Sequence, residues 1–130
     1  MDTHTSRIQN EVLTASQQWI ANFNKGNVDA CVAAYLPNAV MDAKPMGTFT
    51  GTQEIENFWR PFMSSGAKNL EYQEITLEVI SDSIVHLSAN WRMNVGHGVI
   101  TLEKWIKQSS GQWLLAHDAF EVLEQFPPKA

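Results

Sequence analysis

The strictest pattern in the sequence lies between residues 85 and 95, where apolar side chains occupy every second position. The apolar positions are Val85, Leu87, Ala89, Trp91, Met93 and Val95, and those between them are His86, Ser88, Asn90, Arg92 and Asn94. Successive side chains of a β-strand point to opposite faces of its sheet, so this period of two predicts a strand with one face on a core. A helix would need a period near 3.6 residues, which this segment lacks.

The second half of the chain predicts further strands that follow one another as a meander. Alternation and turn residues place a strand over residues 70–80, a returning strand over residues 99–107 and a last strand over residues 112–122. Gly96-His97-Gly98 is the predicted hairpin connection, and short serine- and glycine-containing turns separate the other strands.

The first half predicts three helices and one short strand. Apolar residues recur at spacings of three and four over residues 6–24, which is typical of an amphipathic helix. A short second helix is predicted over residues 28–35, ended by Pro37-Asn38, and a third over residues 53–63. Thr50 and Gln53 have the spacing of a capping box before the third helix, and residues 40–42 predict a short strand.

Helices followed by antiparallel strands predict one α+β domain over residues 1–130, with tails at about residues 1–6 and 124–130. The predicted strands are long for a chain of 130 residues. A long twisted sheet curls, and three N-terminal helices can then cover its concave side and close a pocket.

Composition narrows the function classes. A net charge of −5 without a basic patch argues against a nucleic-acid partner, and no apolar run is long enough to predict a membrane span. The first residues lack the apolar segment of a signal peptide, so we expect a cytoplasmic protein. Cys31 is the only cysteine, and the histidines lack compact metal-ligand spacing, so neither a metal nor a cofactor is predicted.

Four local motifs in order along the chain resemble the NTF2-like superfamily, in particular its SnoaL-like and ketosteroid-isomerase-like branches. They are the run from Trp19 to Ala30, the run from Tyr35 to Val40, Phe49-Thr50-Gly51 before the third helix, and the run from Trp113 to Phe120. The resemblance covers roughly residues 8–123. It implies a cone-shaped, curved antiparallel sheet with three N-terminal helices closing a pocket, commonly in a homodimer. The fold hosts isomerases, cyclases, dehydratases, hydrolases and non-catalytic binders.

The resemblance to ketosteroid isomerase also implies catalytic positions. In that enzyme an Asp is the base, while a Tyr and a protonated Asp bind the oxyanion. Asp42 stands nine residues before Gly51, as the family's base does, and Glu103 occupies the position of the protonated carboxyl. Trp19 stands where the family has the Tyr, and its indole offers a donor without an acidic hydroxyl.

A second pattern, that of SnoaL-like cyclases, implies a catalytic carboxylate on the last strand, at Asp118. Alternation sends Asp118 and its neighbour His117 to opposite faces, and bulky apolar residues occupy both faces, so alternation does not decide between them. The family resemblance implies that Asp118 points inward. Alternation also groups Glu103 with Trp105 on the less apolar face of its strand. Glu103 is therefore either a pocket carboxyl, as the resemblance implies, or a solvated strand residue.

These residue types suit proton transfer next to a carbonyl group, which needs a base near the carbon and a donor near the oxygen. A carboxyl buried among apolar residues has a raised pKa and can act as the acid, while a less buried Asp42 stays ionised as the base. The predicted substrate is a small apolar or aromatic molecule, bound by Trp19, Phe58, Trp59, Phe62, Trp91 and Phe120.

Three functions remain open from the sequence. The first is a cofactor-independent isomerase, cyclase or dehydratase with Asp42, Glu103 and Asp118 as candidate catalytic residues. The second is a protein that binds a small molecule without turnover, which the indole of Trp19 favours. The third is a dimerisation or interaction module of the same fold.

Overall fold

The computed structural model describes residues 3–126 and shows three helices and one six-stranded sheet in this range. The helices are α1 (Thr3–Asn24), α2 (Val28–Ala33) and α3 (Thr52–Ser64). The strands are β1 (Tyr35–Lys44), β2 (Gly47–Thr50), β3 (Glu71–Ser81), β4 (Ile84–Met93), β5 (Gly96–Lys107) and β6 (Trp113–Gln125). Helix α1 and strand β6 thus extend into both predicted tails, whose outer residues 1–2 and 127–130 lie outside the described range.

The sheet has the strand order β2-β1-β6-β5-β4-β3 and curves without closing into a barrel. All neighbouring strands are antiparallel except β1 and β6, which run parallel. The parallel pair arises because the chain leaves β1, passes through β2 and α3, and builds the β3–β6 meander before returning beside β1. The predicted α+β class and curved sheet are confirmed, with this one parallel pair added.

The core lies between the concave face of the sheet and the helices. The predicted apolar face of β4 is confirmed, since its five residues from Val85 to Met93 at every second position are all buried. Aromatic side chains of α1 and α3 meet above it: the Trp19 ring centroid lies 5.7 Å from that of Phe23 and 5.4 Å from that of Trp59. Burial of these large rings removes apolar surface from water and stabilises the fold.

Two predicted element boundaries are wrong because backbone pairing with a distant strand competes with local signals. Helix α2 ends at Ala33, and Tyr35, predicted to be helical, opens β1 by pairing with Leu115 of β6. The Leu115 N–H donates to the carbonyl of Ala34 at 2.8 Å, which fixes this entry. The predicted short strand at residues 40–42 is the middle of β1, and β2 was not predicted.

The turn between β4 and β5 also differs from the prediction. Gly96 already lies in β5 and pairs with Met93, so the turn consists of Asn94 and Val95. The side chain of Asn94 holds this turn against the segment after α3: its amide nitrogen donates to the carbonyl of Gly66, and its oxygen accepts from the N–H of Lys68, both at 2.9 Å.

The predicted capping box does not form at α3. The N-cap residue is Gly51, which has no side chain to cap with, and the carboxylate of Glu54 accepts instead from the N–H of Thr50 at 2.9 Å. Across residues 3–126, no helix is both long and apolar enough to cross a membrane.

Candidate functional site

A cavity of about 340 Å³ opens between the helices and the concave face of the sheet. This volume lies within the range typical of small-molecule sites. All six residues predicted to bind a substrate line this cavity: Trp19, Phe58, Trp59, Phe62, Trp91 and Phe120. Their side chains make its wall largely apolar and aromatic, and their role in binding stays a prediction.

A bulge in β5 turns Glu103 toward the core. Leu87 and Ala89 are two residues apart on β4, yet their partners Glu103 and Ile100 are three residues apart on β5. The additional residue reverses the alternation, so Ile100 and Glu103 are both buried although strict alternation puts them on opposite faces. Strict alternation counted back from Glu103 therefore gives the wrong sheet face for residues 99–101, and Glu103 is an interior carboxyl.

A second bulge, in β6, decides between His117 and Asp118. Lys104 and Trp105 are adjacent on β5, but their partners His117 and Leu115 are two residues apart on β6. Leu115 and Asp118 are consequently both buried, and Asp118 lines the cavity. His117 points to the other face of the sheet, where it contacts Asp42, so Asp118 is the inward residue, as the family resemblance implies.

The two buried carboxyls face each other across neighbouring strands, since Glu103 and Asp118 are register partners. Glu103 Oε1 accepts a hydrogen bond from the indole of Trp105 at 2.9 Å, and its Oε2 lies 2.7 Å from the hydroxyl of Tyr72. Tyr72 is itself part of the cavity wall. Glu103 is therefore linked to the cavity through this tyrosine.

Asp118 is also hydrogen-bonded to a tyrosine. The hydroxyl of Tyr35 donates to Asp118 Oδ2 at 2.6 Å, and the indole of Trp59 donates to the Tyr35 oxygen at 3.2 Å. Both contacts are buried, so they orient the carboxylate without competition from water.

Burial raises the pKa values of both carboxyls, and repulsion by Asp118 adds to the effect at Glu103. Loss of water around Glu103, together with the nearby negative charge of Asp118, raises its pKa from 4.5 to about 8. Burial raises the pKa of Asp118 from 3.8 to about 6, against the opposing hydrogen bond from Tyr35 and the charge of His117. The two carboxyls titrate as one coupled pair, so at neutral pH they hold about one proton and one negative charge between them.

Asp42 is not brought into the cavity. Its neighbours Met41 and Ala43 are fully buried, so the alternation of β1 places Asp42 on the opposite face of the sheet. There its two carboxylate oxygens lie 3.0 Å from Nε2 of His117 and 2.7 Å from the hydroxyl of Thr48. Asp42, the candidate base implied by the family resemblance, therefore does not lie in the cavity that Asp118 lines.

Trp19 lines the cavity, but its indole N–H already donates to the protein backbone. Its Nε1 donates to the backbone carbonyl of Cys31 at 3.2 Å, and the Cys31 thiol lies 3.7 Å from the carbonyl of Trp19. This reciprocal contact joins α1 to α2. The indole of Trp19 consequently does not replace the hydroxyl that ketosteroid isomerase has at this position.

The sequence analysis missed Tyr35 and Tyr72 as site residues. Tyr35 falls within the predicted second helix, and Tyr72 lies at the start of a strand whose pattern is broken by a bulge between Gln73 and Thr76. A usable signal was their rarity, because these are the only two tyrosines of the chain. Among residues 3–126, no group of three or more His, Cys, Asp and Glu side chains is arranged to hold a metal ion.

Comparisons with known proteins agree with this architecture. The sequence matches the family model of the SnoaL-like domain over residues 16–113. A search of curated proteins found no match.

Solved structures include close matches to the fold at low sequence identity. One is described as a putative scytalone dehydratase from Novosphingobium aromaticivorans, with a TM-score of 0.84 at 10% identity over 100% of this chain and 93% of that one. A ketosteroid isomerase-like protein from Erwinia carotovora has a TM-score of 0.74 at 14% identity over 88% and 95%. The ActVI-ORFA protein from Streptomyces coelicolor also reaches 0.74, at 10% identity over 88% and 97%.

Proposed function

Because the chain belongs to the SnoaL-like family, we propose that its cavity is the active site of a cofactor-independent isomerase, cyclase or dehydratase. The proposed substrate is an apolar small molecule that contains a carbonyl group. The observation that carries the proposal is the opposed pair Glu103 and Asp118, two carboxyls buried on neighbouring strands beside an aromatic cavity. Titratable pairs with separated pKa values commonly divide the roles of acid and base.

Asp118 is the proposed base. It lines the cavity, and because burial raises its pKa less than that of Glu103, we assign the negative charge of the pair to it at neutral pH. Tyr35 occupies its Oδ2, which leaves Oδ1 to accept a proton from a carbon next to the substrate carbonyl. The raised pKa of Asp118 makes it a stronger base than a solvated aspartate.

Glu103 and Tyr72 form the proposed acid. When Glu103 is protonated it can donate to the Tyr72 oxygen across their 2.7 Å contact, which frees the Tyr72 O–H to point into the cavity. That hydroxyl would stabilise the negative charge that develops on the substrate oxygen, or protonate a hydroxyl group that leaves as water. Asp42, on the other sheet face, has no part in this scheme.

The wall of the cavity supports a flat, apolar substrate. Its aromatic residues offer faces and edges for stacking, and a volume of about 340 Å³ accommodates a fused-ring molecule. The structural neighbours described as a putative scytalone dehydratase and a ketosteroid isomerase-like protein fit this substrate class.

The test is a screen of cyclic ketones and β-hydroxyketones for double-bond migration or water loss. Ultraviolet absorbance monitors either reaction. On any substrate found, Asp118→Asn and Glu103→Gln should each lower kcat by about 100-fold or more, the size expected for loss of general acid–base catalysis. The matched control is Glu78→Gln, which removes an exposed carboxylate beside His86. Wild-type turnover by Asp118→Asn would contradict the proposal, and full loss in Asp42→Asn would favour the base implied by the family resemblance.

A second candidate is a protein that binds the same class of molecule without converting it. The engagement of the Trp19 indole by the carbonyl of Cys31 favours this candidate, because the family's hydroxyl donor has no replacement at that position. Tight binding of a cyclic ketone that is recovered unchanged would support it. Homodimer formation stays a prediction from the family resemblance and is checked by analytical ultracentrifugation.

A further inference from the structure

Trp91 lines the cavity, and its buried hydrogen-bonding group has no partner among the described residues. Its Nε1 is buried and makes no hydrogen bond, alone among the buried side-chain nitrogen and oxygen atoms of the described part of the chain. The residue is 7% exposed and lines the cavity. A buried donor without an acceptor destabilises the folded state, so its retention calls for an explanation.

The backbone beside Trp91 is adapted to the indole. Trp91 pairs with Gly98 of β5, and a Cβ atom at that position would lie 2.7 Å from Trp91 Cζ2 and 2.8 Å from Cε2. It would also lie 1.9 Å from the carbonyl oxygen of Glu121. The glycine thus lets β5 and β6 approach closely and lets the indole lie against the backbone.

Trp91 and Asp118 lie at different levels of the sheet. Asp118 pairs with Glu103 of β5, whereas Trp91 pairs with Gly98 of the same strand. The bulge in β5 lies between these two positions. Their strands, β4 and β6, are separated by β5, and therefore by about 10 Å. Phe120 stands between the two levels, with its ring perpendicular to the indole and the centroids 6.5 Å apart.

We propose that Trp91 Nε1 is a second polar anchor of this cavity, which donates a hydrogen bond to a neutral oxygen acceptor, such as a ketone, on a bound fused-ring ligand. An indole N–H donates and never accepts, so this anchor selects an oxygen acceptor and rejects an ammonium group. Because Nε1 has almost no accessible surface, a neighbouring side chain must move to admit the ligand oxygen, and we assign this movement to the Phe120 ring that packs against the indole. The ligand then has two polar ends, one at Trp91 and one at Asp118, joined by an apolar body.

This inference concerns the same cavity as the proposed function, but its test measures binding and needs no turnover. The probes are 1-tetralone and tetralin, which share a fused-ring skeleton and differ in the ketone oxygen. In the ¹H–¹⁵N spectrum, the Trp91 indole signal is assigned by its absence from Trp91→Phe. We expect 1-tetralone to shift this signal downfield, as a new hydrogen bond does, and tetralin to leave it near its original position.

Affinities give a second measurement. Trp91→Phe should weaken binding of 1-tetralone by about three- to tenfold, the loss expected for one hydrogen bond, with little effect on tetralin. The matched control is Trp19→Phe, since Trp19 also lines the cavity but its Nε1 already donates to Cys31. This control should change the affinities for both probes by the same factor.

Three results would overturn the assignment. They are an unchanged ratio of the two affinities in Trp91→Phe, equal indole shifts with both probes, and failure of 1-tetralone to bind the wild-type protein up to its solubility limit. Each is independent of whether Asp118→Asn abolishes turnover, so failure of this proposal is distinguishable from failure of the proposed catalytic function.

Discussion

Glu103 and Asp118 lie directly opposite each other on neighbouring strands, and both carboxyls point into the interior of the protein. Each has a tyrosine hydroxyl within hydrogen-bond distance, Tyr72 at 2.7 Å and Tyr35 at 2.6 Å. Two carboxyls that are buried next to each other cannot both ionise without a large cost in free energy. The folded protein therefore retains a proton that the unfolded chain releases. This relationship has measurable consequences for stability and for titration.

The free energy of unfolding should fall as the pH rises from about 4 to about 8. Both carboxyls have folded-state pKa values above their ordinary ones, at about 6 for Asp118 and about 8 for Glu103. The folded protein therefore binds more protons than the unfolded chain in this interval, and stability is lost with rising pH by up to about 1.4 kcal/mol per pH unit for each group. Urea unfolding at a series of pH values measures the slope.

Glu103→Gln provides the check on this prediction. Between pH 6 and 8 the predicted loss of stability comes mainly from Glu103. Because the amide of the variant does not titrate, its unfolding free energy should depend less steeply on pH in this interval. Glu78→Gln, at an exposed position on β3, should keep the wild-type slope. A wild-type stability that rises through this interval would contradict the buried, protonated state of Glu103.

Removing the hydroxyl of Tyr35 or Tyr72 should raise the pKa of the carboxyl that this hydroxyl contacts. Tyr35 and Tyr72 lower the pKa values of Asp118 and Glu103 by hydrogen bonding to their ionised forms. Carbon-13 carboxyl NMR titration of Tyr35→Phe should therefore show a higher pKa for Asp118, and the same titration of Tyr72→Phe a higher pKa for Glu103. Each variant is the control for the other. A lower pKa in either would mean that the hydroxyl stabilises the protonated carboxyl instead.

Gly98→Ala should destabilise the protein strongly. The new methyl group would meet the Glu121 carbonyl oxygen and the Trp91 indole at distances that require atoms to move, and a backbone carbonyl in a sheet cannot move freely. Overpacking of this kind typically costs about 1–3 kcal/mol, and we expect the upper part of this range or more. Chemical denaturation measures the loss. Wild-type stability of the Gly98→Ala variant would show that β5 and β6 can separate at this point.

Asp42→Asn should change stability little. The Asp42 contact with His117 lies on the outer face of the sheet, where both side chains are about one-third exposed at 33% and 31%. Partly exposed pairs of this type contribute roughly 0–1 kcal/mol. Thermal unfolding of Asp42→Asn and His117→Gln should therefore give small shifts. A loss of several kcal/mol would indicate that this face is buried in an assembly.

The sequence by itself determined the features that depend on local pattern. The alternation of residues 85–93 identified β4 and its buried face, and the apolar spacing of α1 identified the helix that covers the sheet. Ordered motifs along the chain were sufficient to identify the family and its fold, because these motifs mark turns and element boundaries set by nearby residues.

Only the tertiary structure decided which carboxyls meet. Glu103 and Asp118 face the interior because bulges in β5 and β6 change the register with neighbouring strands, and strict alternation cannot reveal such bulges. Tyr35 reaches Asp118 across 83 residues of chain through the parallel pairing of β1 and β6. The same pairing leaves Asp42 on the outer face. The direction of a strand residue depends on the hydrogen bonds that its backbone makes with a distant strand, and those partners form only when the whole sheet assembles.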